Sequence, residues 1–249
     1  LQKRYGRVKE FYRIPLMEHL YDTHFHLDLQ KDRTAAICEI EKNQIYVIAV
    51  TNLPDLYRKE TAEIKSKYIR IALGFHPELI HQYQKQIPLM WELLPEVRYI
   101  GEVGLDLVNK SYEKEQEAFF CELVERCRYD SNKIFTIHSR RSVNKLLDIL
   151  GDKYRFKAIL HWFSGSRIEL EKAIERGCYF SINGAMMKSK KFLDMLPMIP
   201  SNRLLIETDS PFTRYIGVYD EHLRCIKEEL QSYNHEVDVW ANFRRVLGG

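Results

Sequence analysis

The sequence of 249 residues contains no low-complexity segment and no long hydrophobic run. Its longest purely apolar stretches, such as residues 45–50, are far shorter than the roughly 20 residues with which a helix spans a bilayer. The formal net charge is only +3, which neither requires nor excludes a nucleic-acid partner. Aromatic residues, in contrast, are plentiful, and 15 Tyr, 12 Phe and 3 Trp supply ample apolar surface for a core. These features predict a globular protein, neither disordered nor membrane-spanning.

Cysteine is scarce, and its placement does not suggest disulfides. The five cysteines are odd in number, form no CxxC motif and mostly stand in apolar surroundings: Cys38, Cys121, Cys127, Cys178 and Cys225. This usage is typical of a reducing compartment. Residues 1–13 are basic, but no apolar segment follows them, so they do not resemble a secretory signal. We therefore expect a cytoplasmic protein.

Short β-branched or aromatic segments alternate with charged segments of helical periodicity along most of the chain. Such alternation predicts parallel strands joined by crossover helices. The predicted strands are 21–27, 46–50, 69–73, 99–105, 134–138, 158–163, 179–182 and 204–208. The helical patterns cover 32–43, 54–67, 86–94, 112–130, 143–150, 166–176, 189–196, 221–231 and 237–247.

Eight strand–helix units in a chain of about 250 residues are typical of a (β/α)8 barrel, also called a TIM barrel. An open, doubly wound sheet produces the same alternation and is the competing fold. No glycine-rich dinucleotide-binding loop follows any predicted strand, and this favours the barrel. We therefore expect an α/β protein with a single TIM-barrel domain.

Five of the nine histidines stand at or near the ends of predicted strands, where such a barrel places its active site. His24 and His26 end the first strand and, being two residues apart, point to the same side of it. Later strands end in further candidate ligands, namely Glu102, which has glycines on both sides, His138, His161 and Asp209. The histidines expected at the surface are His19, His81, His222 and His235.

The number of candidate ligands bears on the number of metal ions. Buried ionisable groups are costly unless they are paired or bind a metal, and these six exceed the three protein ligands of a typical catalytic zinc. A carboxylate, most simply that of Glu102, would then bridge two ions roughly 3.5–4 Å apart. Such a pair lowers the pKa of a bound water and contacts both the attacking and the leaving oxygen. The arrangement predicts hydrolysis.

Basic and hydroxyl-bearing segments follow several predicted strands and suit a phosphodiester substrate: 139–141, 164–167, 188–191 and 213–214. Arg140 lies beside a candidate ligand, and we expect it to contact the substrate. Lys190 and Lys191 are expected to be ordinary solvated charges. Three aromatic residues either stack on unpaired bases or pack at the rim, and the sequence leaves both open: Phe75, Trp162 and Phe212.

Motifs spread over nearly the whole chain resemble those of the TatD family of metal-dependent deoxyribonucleases, within the amidohydrolase-like barrels. In order, they are DTHFHLD (22–28), GFHP (74–77), GEVGLD (101–106), IHSR (137–140), HWFSG (161–165), ETDSP (207–211) and NFRRVL (242–247). Within the family, IHSRR, HWFSG and SINGAMMKS (181–189) are most similar to the TatD-like component of Qat anti-phage defence systems.

The resemblance implies a role for each matched position. The ligands of one ion would be His24, His26 and Asp209, and those of the second would be His138 and His161. The catalytic residues would be Glu102, which bridges the ions, and Asp209, which takes a proton from the metal-bound water. Phosphate contacts would come from His76 and Arg140. Family members hydrolyse DNA, often as 3′→5′ exonucleases on single-stranded ends, with Mg²⁺, Mn²⁺ or Zn²⁺.

The chain departs from the family pattern in two places. The loop at 212–219 is short and lacks the Pro- and Arg-rich stretch that usually follows ETDSP, so one wall of the groove is either more open or completed by another protein. Residues 1–18 form a basic, aromatic extension before the barrel domain at 19–249. This extension is either an arm that binds a partner or nucleic acid, or a disordered segment.

Three functions remain after this reasoning. The leading one is a dimetal nuclease acting on DNA within a Qat-type defence system, alongside other proteins of that system. The second is hydrolysis of a small phosphoester or a cyclic amide, although Glu102 replaces the carboxylated lysine that would favour amide chemistry. The third is a non-catalytic nucleic-acid-binding subunit, against which the complete set of ligands argues.

Overall fold

The computed structural model describes residues 19–213 and 219–248, which form eight strands and nine helices. The strands are β1 (Tyr21–Phe25), β2 (Tyr46–Val50), β3 (Ile69–Ala72), β4 (Tyr99–Asp106), β5 (Ile134–Arg140), β6 (Lys157–His161), β7 (Tyr179–Ile182) and β8 (Leu204–Ile206). The helices are α1 (Arg33–Asn43), α2 (Pro54–Glu63), α3 (Ile87–Leu93), α4 (Glu113–Cys127), α5 (Val143–Leu150), α6 (Arg167–Glu175), α7 (Lys190–Leu193), α8 (Tyr219–Tyr233) and α9 (Val239–Val246).

The strands are all parallel and close into a barrel. Strands β1 to β3 pair in sequence order, as do β4 to β8. The two groups meet where the Gly101 N–H donates to the Leu73 carbonyl at 2.9 Å. They meet again between β1 and the end of β8, where the Asp209 N–H donates to the His24 carbonyl at 2.9 Å. This closure confirms the predicted barrel and rules out the open sheet.

The core lies inside the barrel and between the barrel and its helices. Every residue of β1, β7 and β8 is buried, as expected for parallel strands that are covered on both faces. The helices bury one face each, and α5 shows this with Val143, Leu146, Leu147 and Leu150, at the spacing of successive helical turns. None of the helices in the described ranges combines the length and the apolar composition needed to cross a bilayer.

Local sequence signals set several of the helix starts. The Asp32 carboxylate accepts a hydrogen bond from the Ala35 N–H at 2.8 Å and begins α1. Ser166 and Glu169 form a capping box at the start of α6. The predicted strand–helix order is confirmed throughout, but α2 ends at Glu63, not at 67, because the backbone becomes extended at residue 64.

The expected surface position of His222 is wrong, because this residue lies on the buried face of α8 next to Leu223 and is only 2% exposed. Strand β8 is also shorter than predicted. It ends at Ile206, so Asp209 lies in the loop beyond it, with a positive φ of 51°. The extension at 1–18 and the loop positions 214–218 lie outside the described residues.

Candidate metal centre

The six side chains predicted as metal ligands lie together at the carboxyl ends of the strands, inside the barrel mouth. They come from β1 and the residue after it, from β4, β5 and β6, and from the loop after β8: His24, His26, Glu102, His138, His161 and Asp209. Apart from the partly buried His138, each is at most 5% exposed. Their convergence agrees with the sequence expectation, whereas their roles as ligands stay predictions.

Four of these residues form what we call the first cluster: His24, His26, Asp209 and one carboxylate oxygen of Glu102. The Nε2 atoms of His24 and His26 are 3.3 Å apart, and each lies 3.3–3.6 Å from Asp209 Oδ1 and Glu102 Oε2. A tetrahedral ion with bonds of about 2.1 Å keeps its ligands about 3.4 Å apart. The first cluster therefore has the spacing of a metal site.

The hydrogen bonding of the first cluster also fits a cation. Asp209 Oδ1 is buried and has no hydrogen-bond partner in the described part of the chain. The Nδ1 of His24 lies 2.7 Å from the Thr136 hydroxyl, which leaves Nε2 facing the cluster. Burial, together with the nearby His161, lowers the pKa of His24 and so favours the neutral imidazole that metals bind. A buried carboxylate oxygen without a donor is what a cation would satisfy.

The second cluster is formed by His138, His161 and the other carboxylate oxygen of Glu102. Glu102 Oε1 lies 2.7 Å from His138 Nδ1 and 2.9 Å from His161 Nε2, and the two nitrogens are 3.3 Å apart. Burial alone would lower the pKa of both histidines, but hydrogen bonds and charge interactions with carboxylates outweigh it and raise the pKa of each. The three atoms lie 2.7–3.3 Å apart and are of the types that could hold a metal ion.

Two glycines on either side of Glu102, Gly101 and Gly104, allow β4 to pack closely against β5. A Cβ atom on Gly101 would lie 2.1 Å from the Thr136 side chain. One on Gly104, whose φ is 137°, would lie 2.1 Å from the His138 carbonyl oxygen. Both distances are shorter than any van der Waals contact, so β4 can approach β5 this closely only without side chains there. These two glycines therefore allow the close packing of β4 against β5 on either side of Glu102.

The cleft above the clusters has a volume of about 540 Å³, and the two predicted phosphate contacts line it. The Nδ1 of His76 accepts a hydrogen bond from the Glu78 N–H at 3.3 Å. Because a backbone amide can only donate, the proton of a neutral His76 sits on Nε2, which faces Glu102 Oε1 at 3.6 Å. Arg140 lies at the rim with 61% of its side chain exposed. His76 therefore presents a hydrogen-bond donor, and Arg140 presents a positive charge.

The structure separates the three aromatic candidates. Phe75 is fully buried and packs against Phe119, with 5.2 Å between ring centroids, so it belongs to the core. Trp162 and Phe212 line the cleft. Phe212 is 62% exposed, and its ring stands 5.1 Å from that of His26. Two of the three aromatics are thus placed to meet a ligand.

Sequence reasoning missed two buried carboxylates behind the second cluster. Asp106 Oδ2 lies 2.9 Å from His138 Nε2. Glu207 is fully buried, accepts hydrogen bonds from the Trp162 N–H and the side chains of Ser181 and Asn183, and lies 3.7 Å from His161 Nδ1. The sequence did contain a signal for Asp106. Positions 102, 104 and 106 share one face of β4, so strand geometry predicts Asp106 on the same side of the strand as Glu102.

Comparisons with known proteins agree with this geometry. The model of the family described as TatD related DNase matches residues 21–245. An uncharacterized metal-dependent hydrolase of Methanocaldococcus jannaschii is 29% identical over 224 residues, which are 84% of this chain and 86% of that one. The 3′-5′ ssDNA/RNA exonuclease TatD of Escherichia coli K12 is 33% identical over 178 residues, or 67% of each chain.

Solved structures show the same fold. The crystal structure of a TatD homologue from Escherichia coli K12 has a TM-score of 0.72 at 19% identity and covers 92% of this chain and 98% of that one. A TatD family hydrolase from Entamoeba histolytica has a TM-score of 0.67 at 17% identity, over 92% and 95% of the two chains. Because the family model spans nearly the whole barrel and the barrel mouth gathers the donors that metal chemistry needs, this chain belongs to the TatD-related DNase family of metal-dependent hydrolases.

Proposed function

We propose that this protein is a deoxyribonuclease that hydrolyses phosphodiester bonds with two divalent ions, Mg²⁺, Mn²⁺ or Zn²⁺. One observation carries the proposal: Glu102 turns Oε2 to the first cluster and Oε1 to the second. A single buried carboxylate thus serves two sets of ligand atoms. Glu102 would bridge the ions, with His24, His26 and Asp209 holding one and His138 and His161 the other.

Divalent ions bound there would lower the pKa of a water molecule and stabilise the charge that develops on the phosphate. Asp209 would hold the ion through Oδ1, which lies at the first cluster, and its other carboxylate oxygen would take the proton from the attacking water. Backbone hydrogen bonds hold Asp209 in place, one of them from its N–H to the His24 carbonyl. The barrel wall thus presents a positioned general base.

His76 and Arg140 would bind the phosphate of the substrate. The Nε2–H of His76 points into the cleft above Glu102, and the exposed guanidinium of Arg140 lies at the rim. A guanidinium fits phosphate oxygens and neutralises their charge. These two residues would orient the scissile or the neighbouring phosphate over the clusters.

We further propose single-stranded DNA ends as the substrate and exonucleolytic cleavage as the mode. The exposed ring of Phe212 and the partly buried ring of Trp162 line the cleft, and unpaired bases stack on such rings. The relative in Escherichia coli K12 is named a 3′-5′ ssDNA/RNA exonuclease, and this name supports both the single-stranded substrate and the exonucleolytic mode.

The biological setting that we propose is a Qat-type anti-phage defence system in the cytoplasm. The motifs IHSRR, HWFSG and SINGAMMKS support it, and five free cysteines suit a reducing compartment. In a reconstituted system, a Glu102→Ala variant should lose protection against phage. Unchanged protection would contradict a nuclease role in defence.

Digestion of end-labelled DNA tests the nuclease proposal. The wild type, supplied with Mn²⁺, Mg²⁺ or Zn²⁺, should shorten single strands from one end and leave duplexes largely intact. Glu102→Ala and Asp209→Asn should each slow cleavage by at least about 100-fold, as expected when a metal ligand or a general base is lost. The exposed Glu96, just before β4 at the opposite end of the barrel, provides the control Glu96→Gln.

The outcome also separates the alternatives. If both variants cleave DNA as fast as the wild type, the nuclease proposal is wrong. If the wild type hydrolyses a small phosphoester such as p-nitrophenyl phosphate but no DNA, the second function holds. If it binds DNA and cleaves neither substrate, the chain is a non-catalytic subunit.

A further inference from the structure

We propose that Asp106 is a positioning residue that determines which nitrogen of His138 carries a proton and thereby sets how tightly the second cluster binds its ion. The inference rests on the proposed function only in treating His138 as a metal ligand. Asp106 itself lies on the far side of the His138 ring from the second cluster, so it would not bind the ion, and its Oδ2 is also 4.0 Å from the guanidinium of Arg140.

The carboxylate of Asp106 is held in one orientation. Its side chain is 1% exposed, and Oδ1 accepts a hydrogen bond from the Val108 N–H at 3.0 Å. The Asp106 N–H donates to the Gln116 side chain of α4 at 2.8 Å, which fixes the backbone at the end of β4. Oδ2 is thereby left for His138 Nε2, at 2.9 Å.

This orientation selects one form of the His138 ring. An ionised carboxylate only accepts hydrogen bonds, so the His138 Nε2 next to it must carry a proton. His138 Nδ1 lies 2.7 Å from Glu102 Oε1 and 3.3 Å from His161 Nε2, so an ion at the second cluster would take the place of the proton on Nδ1, while Asp106 keeps the proton on Nε2. Metal-binding histidines commonly use a carboxylate behind the ring in this way.

The other ligand histidines are supported differently. His24 Nδ1 meets the neutral hydroxyl of Thr136 at 2.7 Å. His26 Nδ1 has no hydrogen-bond partner in the described ranges, and His161 Nδ1 lies 3.7 Å from Glu207, beyond hydrogen-bond distance. Loss of the Asp106 carboxylate should therefore weaken the second cluster and leave the first unchanged.

Two substitutions distinguish a tautomer-setting role from a packing role. In Asp106→Asn, the amide oxygen must stay with the Val108 N–H, because two donors would repel each other. The amide NH₂ group then faces His138 Nε2 and donates a hydrogen bond to it, so Nε2 must carry the lone pair. The ring proton is then on Nδ1, where the ion should bind. Asp106→Ala removes the carboxylate without imposing the wrong form. A packing role predicts that Asn, which has nearly the same shape, is milder than Ala, whereas the tautomer-setting role predicts the reverse.

The experiment is a titration of chelator-treated protein with Mn²⁺ alone, followed by calorimetry and elemental analysis, without nucleic acid. Asp106→Asn should weaken one of the two ions by about 10- to 100-fold, at least as much as Asp106→Ala does, and leave the other ion unchanged. Glu96→Gln controls for the lost charge, and Thr136→Val should act on the other ion. Circular dichroism and the melting temperature of each metal-free variant show whether it folds.

Each outcome decides the inference. It is overturned if Asp106→Asn binds both ions like the wild type, if it is milder than Asp106→Ala, or if the wild type binds fewer than two ions. If the predicted order of affinities holds while the wild type cleaves no DNA, the proposed nuclease function fails and the role of Asp106 stands.

Discussion

The two clusters of predicted metal ligands share Glu102, but different parts of the barrel hold them. The first cluster lies at the seam between β1 and β8, where Asp22 accepts hydrogen bonds from the His24 N–H, the Thr208 N–H and the Tyr219 hydroxyl. Its ligand atoms stay 3.3–3.6 Å apart. The second cluster spans β4, β5 and β6, and its atoms approach to 2.7–3.3 Å. The first cluster is thus anchored where the barrel closes, whereas the second lies within the sheet of β4 to β8 and is the more closely spaced of the two.

The flanks of the two clusters also differ in charge. Two residues after His26 comes Asp28, whose charge interacts with that of the buried Glu60 on α2. Two residues after His138 comes Arg140, with an exposed guanidinium. A polyanion is repelled by the first flank and attracted by the second. If the substrate is the polyanion that we propose, Arg140 would attract it on the side of the second cluster.

The largest expected effect follows from the shared carboxylate. Glu102→Gln should weaken both ions by at least about 100-fold, because an amide brings no charge to either cluster. His161→Ala should weaken only the ion of the second cluster, and the barrel should still fold because His161 stands at the mouth. Elemental analysis after dialysis against Mn²⁺ measures both. Two fully retained ions in His161→Ala would show that the clusters are not separate sites.

A smaller effect concerns the stability of the protein and depends on Glu60, which lies near Asp28 beside the first cluster. Burial, aided by the charge of Asp28, raises the pKa of Glu60 from its usual 4.5 to about 7, despite the nearby Arg33. The folded protein then keeps a proton that the unfolded chain releases, so stability falls as the pH rises from about 4.5 to 7.

Glu60→Gln should remove this dependence and raise the free energy of unfolding at pH 7 by about 1–3 kcal/mol. Urea unfolding at pH 5 and pH 7 measures the change. Glu63→Gln, at the exposed partner of Arg33, is the matched control. An equal loss of stability with pH in Glu60→Gln and the wild type would refute the assignment.

The smallest effect concerns Arg140, beside the second cluster. Arg140→Gln should weaken the binding of a labelled single strand a few-fold and make the plot of log affinity against log salt shallower by about 0.7, as expected for one lost phosphate contact. Asp209→Asn as the background prevents cleavage during the fluorescence anisotropy measurement. Lys190→Gln removes an exposed charge and should leave the slope unchanged. An unchanged slope in Arg140→Gln would assign Arg140 a structural role.

Sequence reasoning succeeded where a local pattern has a tertiary meaning. Strand and helix periodicities identified the barrel, and the positions of His24, Glu102 and His161 at strand ends predicted their convergence, because barrel strands end at the active site. It failed for His222, because a histidine was expected at the surface although its position falls on the buried face of α8, beside Leu223 and Ile226. It did not assign a role to Asp106, because the sequence does not show that this carboxylate lies next to His138 of the neighbouring strand.

The sequence by itself determined the fold, the family resemblance and which side chains meet at the mouth, because strand order and hydrophobic periodicity dictate which ends converge. Only the tertiary structure decided how those side chains divide into two clusters, which nitrogen of each imidazole faces inward and which carboxylates stand behind the rings. These properties depend on contacts of 2.7–3.6 Å between residues far apart in the chain. Neither composition nor spacing along the sequence specifies distances of that kind.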